Sequence, residues 1–96
     1  MRTRRPHIPD YSISANDLAE SMEDWARHIC GRRAIPPEAA IDALELAKEV
    51  KGNQSPPQDM IARLRAAAIR HRPQGHMMIV AQMELIADRL EHERRI

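Results

Sequence analysis

The chain has 96 residues, no Phe and a single Trp and Tyr, and its 15 Lys and Arg nearly balance its 14 Asp and Glu, for a formal charge of +1. A chain of this length buries about 65% of its unfolded surface, enough for one core, and a core of Ala, Leu, Ile, Met and Val suits packed helices better than a sheet. The even charge excludes a global field for nucleic acid, membrane or an acidic substrate, and lone Cys30 excludes an internal disulfide.

The longest apolar run, 77–81, is too short for a membrane span or a signal peptide. The expectation is therefore one cytoplasmic, all-α domain, a compact bundle of about four helices behind a basic arm.

Residues 1–13 carry Arg2, Arg4, Arg5, Pro6 and Pro9 without a periodic apolar face, which predicts an extended or disordered arm. Its arginines, with Arg32 and Arg33 further on, are candidate contacts for phosphates or an acidic surface. The single helical domain then spans 14–96. Its first helix, about 14–30, starts at Ser14, Asn16 or Asp17 as N-cap and stops at Gly31. Leu18, Met22, Trp25 and Ile29 share one stripe of it, which makes Trp25 the expected main anchor of the core. Glu20, Glu23, Asp24 and Arg27 are expected on its solvent side.

An echo follows at a spacing of twenty. Ile35, Pro36, Pro37, Ile41, Leu44 and Ala47 recur as Ser55, Pro56, Pro57, Ile61, Leu64 and Ala67, each set reading as a helix start, since proline fits the first turn. The two helices that result form a hairpin or a helix-turn-helix pair. The second helix, 37–51, buries Ala40, Ala43, Leu44, Leu46, Ala47 and Val50 and leaves Glu38, Asp42, Glu45 and Glu49 as an acidic stripe.

The third helix, 57–71, sets Met60, Ile61, Leu64, Ala67 and Ala68 on one face, with His71 in line at its last turn. Arg63 and Arg70 run along one edge, Arg65 and Arg72 along the other. After the Pro73 to Gly75 break, the fourth helix, 76–94, has a full core stripe of Ile79, Val80, Met83, Ile86, Ala87 and Leu90. Met78, Ala81 and Leu85 make a second stripe nearly opposite. A helix apolar on two sides needs two covering layers, and in so small a bundle the second is expected from another chain.

No arrangement points to catalysis, a cofactor or a metal. His28 and Cys30 point apart on their helix, and His71 and His76 flank a break, so neither pair has ligand spacing. The acidic stripe gives its carboxylates one shared solvated environment, unlike an acid–base pair, and no Gly-x-Ser-x-Gly elbow or Gly-rich phosphate loop exists. The chain reads as a non-enzyme.

Arginines flanking an apolar seam resemble the charged shoulders of packed helices, where long stems cover the edge and guanidinium groups meet carboxylates. The expected interface is Met77, Met78, Ala81 and Leu85 with Arg63, Arg65, Arg70 and Arg72. The expected role is a homodimeric, bacterial or phage-type regulatory module that antagonises or adapts a protein partner such as a transcription factor. The alternative is a DNA-binding regulator that uses the second and third helices as a helix-turn-helix and the arginine arm on phosphates. Against it stand the split arginines, the long two-proline link and the lack of stacking aromatics.

Overall fold

The computed structural model describes residues 13–52 and 56–95. The expected arm lies outside the described residues apart from Ile13. Four helices follow: α1 (Ala15–Gly31), α2 (Glu38–Gly52), α3 (Pro57–His71) and α4 (Met77–Arg95), with a 3-10 turn at Arg72–Gln74. The bundle is all-α, and its helices start and stop within one residue of the periodicity that predicts them.

Local chemistry explains the ends. Ser14 caps α1, its Oγ accepting from the Asp17 amide at 3.1 Å, which satisfies one of the donors a first turn leaves unpaired. Pro57 opens α3, where its missing N–H costs nothing, and the Pro56 carbonyl accepts from the amides of Asp59 and Met60. The turn into α4 closes at Gly75, whose φ of +87° is the left-handed region that glycine enters without strain.

The helices pair in sequence order. α1 packs chiefly on α2 and α3 on α4, while α1 against α4 joins the pairs and α2 meets α3 only sparsely. The fold is thus two helical hairpins, and the twenty-residue echo marks two helix starts rather than a paired unit. The equivalence that the fold does contain is at a spacing of forty. Ala39, Ala40, Ala43, Leu46 and Ala47 of α2 are buried, as are Ile79, Val80, Met83, Ile86 and Ala87 of α4.

Two residues of α1 depart from the expected pattern. Trp25 is 40% exposed and does not belong to the core, whose α1 positions are Ala15, Ala19, Met22 and Ala26. The reason is steric: small side chains let α1 approach its neighbours closely, so the buried stripe is centred on alanines and the indole lies at its edge. It stacks on His28 there, with ring centroids 6.0 Å apart. Glu23, expected in solvent, is only 5% exposed. It is buried on the α2 flank, where Lys51 and Arg27 both donate to its carboxylate.

That placement makes a pH prediction. The hydrogen bond from Lys51 is the main cause holding the Glu23 carboxyl below its ordinary value of 4.5, with burial opposing and the charges of Arg27, Lys51 and Lys48 assisting. A carboxyl whose value is depressed on folding stabilises the native state above its unfolded value and loses that contribution as pH falls through the folded one. The gap in melting temperature between the wild type and Glu23→Gln should therefore narrow as pH drops from about 6 to about 3. Circular dichroism melts check it, and a gap constant with pH would contradict it.

Candidate functional site

The outer face of α4 carries the expected apolar stripe. Met77 and Met78 are each 55% exposed and Leu85 is 49% exposed, with Ala81 exposed between them. On the opposite side Ile79, Val80, Met83, Ile86 and Ala87 are at most 1% exposed. The helix is therefore apolar on two sides and covered by its own chain on one. Met78, Ala81, Gln82 and Leu85 form an uncharged strip.

The three arginines of α3, Arg63, Arg65 and Arg70, and Arg72 just after it divide between two edges as their spacing predicts, but their carboxylates come from this chain. Towards α2, Arg63 donates to Glu49 with Nη2–Oε2 at 2.8 Å, and Arg70 donates to Asp42. Towards α4, Arg65 donates to Asp88 and Glu91, at 3.2 and 3.1 Å, and Arg72 donates to Glu84. These acids hold the guanidinium groups of Arg63 and Arg65 even more firmly protonated than usual. The α3 shoulders thus tie the bundle together, and the acidic stripe of α2 serves in part as their counter-charge. Ile69, 68% exposed, lies between them.

Near these pairs is a buried polar contact that sequence alone flags only by its position. His71 is fully buried at the end of α3. Its Nε2–H donates to Asp42 Oδ2 at 2.6 Å, and its Nδ1 lies 3.3 Å from the side-chain amide of Gln74. Asp42 receives both His71 and Arg70, so one carboxylate joins α2 to α3 where apolar packing between them is thin.

A second surface was not expected. Trp25 and His28 of α1 line a groove with Asp17, Glu20, Ser21 and Asp24, bounded on the α4 side by Gln82. The signal for it in the sequence is the i, i+4, i+7, i+11 spacing of Asp17, Ser21, Asp24 and His28, which puts them on one face beside Trp25.

Of the remaining candidates, Arg32 and Arg33 are exposed just after α1, while Arg2, Arg4 and Arg5 lie outside the described residues. Among the described residues no group of three His, Cys, Asp or Glu converges as a metal site would need, and no helix is long and apolar enough to cross a membrane. Compared with family models, curated proteins and solved structures, the chain matches none.

Proposed function

We propose that this domain is a regulatory protein-interaction module that pairs with a second copy through the outer face of α4. In this reading it antagonises or adapts a cytoplasmic protein partner, such as a transcription factor, by occupying that partner's functional or dimerisation surface. The observation that carries the reading is the half-exposed Met78 and Leu85 on a helix whose other side is completely buried. Exposed apolar patches of this kind are characteristic of interaction sites, and thioethers adapt readily to a partner's contour.

A second copy suits the face because a twofold contact sets the same patch against itself. The strip of Met78, Ala81, Gln82 and Leu85 brings no like charges together. The α3 arginines, engaged with Glu49, Asp42, Asp88 and Glu91, and Arg72 after them, engaged with Glu84, support a structural rather than a base-reading role for that helix.

A photo-crosslinking residue at Ala81 tests the reading in the native host. It should yield adducts with a second copy and with one regulatory protein, while the same residue at exposed Glu38 should not. Equal labelling from both positions would count against it. Duplex DNA supplies the second arm of the test. A DNA-binding regulator would hold random duplex at low salt and release it steeply as salt rises, and such behaviour would replace this reading with that one.

A further inference from the structure

The groove on α1 has a chemistry different from the α4 strip. Asp17, Glu20 and Asp24 surround Trp25, and among the described residues no cation pairs with any of the three. By contrast, Glu23, Asp42, Glu49, Glu84, Asp88 and Glu91 each hold a Lys or Arg of this chain. Uncompensated negative charge therefore coincides with the chain's single tryptophan, which is 40% exposed.

We propose that this groove takes a cationic amphipathic helix from the protein partner, with its apolar stripe on Trp25 and its Lys or Arg side chains on Asp17, Glu20 and Asp24. The inference rests on the protein-interaction reading above and gives the partner's chemistry and its place. Three physical reasons select this occupant. An indole face attracts a cation as well as apolar atoms, so Trp25 suits a stripe bordered by Lys or Arg. The groove follows one exposed face of α1 from Asp17 to His28, a line that a partner helix can track, and docking of an amphipathic helix in this way is a recurring mode of peptide recognition. A second copy is disfavoured, because a twofold contact would bring Glu20 and Asp24 against their own counterparts.

The full chain tests this directly, since Trp25 reports on the groove. The probe is a helical Leu/Lys peptide of roughly 18 residues, long enough to hold a helix, and its Leu/Glu counterpart is the control. The expected result is a saturable blue shift of Trp25 emission with the Lys peptide and none with the Glu peptide. The double variant Glu20→Gln with Asp24→Asn should bind the Lys peptide at least about tenfold more weakly, because rim charges set such attraction. No shift, equal response to both peptides, or unchanged affinity in the variant would overturn the proposal. So would emission that moves on dilution alone, which seats a second copy on Trp25. Emission that changes only on Arg2, Arg4 and Arg5→Ala would assign the groove to the chain's own first residues, with the same consequence. Sedimentation on the same samples separates the two claims: a dimer that ignores the peptide removes this inference alone, whereas a wild-type monomer removes the reading on which it rests.

Discussion

Replacing Leu64 by alanine is expected to destabilise the domain by about 3–5 kcal/mol, the upper part of the range for buried leucines. Leu64 is fully buried in the middle of α3, in a cluster with Met60, Ile61, Met83 and Ile86. The composition of the core places it high in that range. Much of the core is alanine, at Ala19, Ala26, Ala40, Ala43 and Ala47, so the helices already lie close and have little room to close further around a void. Alanine is the better helix former, but that gain offsets only a few tenths of a kcal/mol, so the loss is one of packing. A domain of this size holds roughly 5–14 kcal/mol in total, so the variant should unfold at much lower urea. A loss below about 1.5 kcal/mol would mean that α3 does not close the core.

Asp42→Ala should cost about 1–3 kcal/mol, a large effect for a partly exposed carboxylate, because it strands a fully buried imidazole. His71 Nε2 donates to Asp42 Oδ2, and with that oxygen gone no other carboxylate is shown in contact with the ring. Arg70 loses its ion pair too, but an exposed pair contributes little. The decisive form of the experiment is a double-mutant cycle. In a His71→Leu background, where the buried donor has become apolar, Asp42→Ala should be nearly neutral, leaving a coupling of about 1–2 kcal/mol. Additive losses would show that the contact between α2 and α3 does not depend on this pair.

Much of the fold is legible in the sequence because alternating stripes and terminal residues are local signals. The Ser14 cap, the prolines before α3 and the glycine after it set the helix ends without reference to the rest of the chain. The two-sided character of α4 and the split of the α3 arginines follow from the same spacing. Burial of His71 follows from its place in line with Ile61, Leu64 and Ala68.

What periodicity misses is which side chain wins a position when two elements meet. A stripe weighted by hydrophobicity centres on Trp25, but close approach of helices selects for small residues and turns the indole outwards. Glu23 looks like a solvent residue until Lys51, 28 positions away, is brought over it. For the same reason the carboxylates that meet the α3 arginines are visible only once α2 and α4 lie on either side of that helix. The sparse contact between α2 and α3 was hidden by their matching prolines, which report on how a helix begins and not on what it packs against.

Whether the strip on α4 is a meeting surface between two copies is decided most directly by sedimentation equilibrium. The wild type should run at twice the 11.0 kDa chain mass, and Met78→Glu with Leu85→Glu should run at the single-chain mass with unchanged helical circular dichroism. A wild-type chain that sediments at 11.0 kDa, or a variant that still runs at double mass, would contradict it.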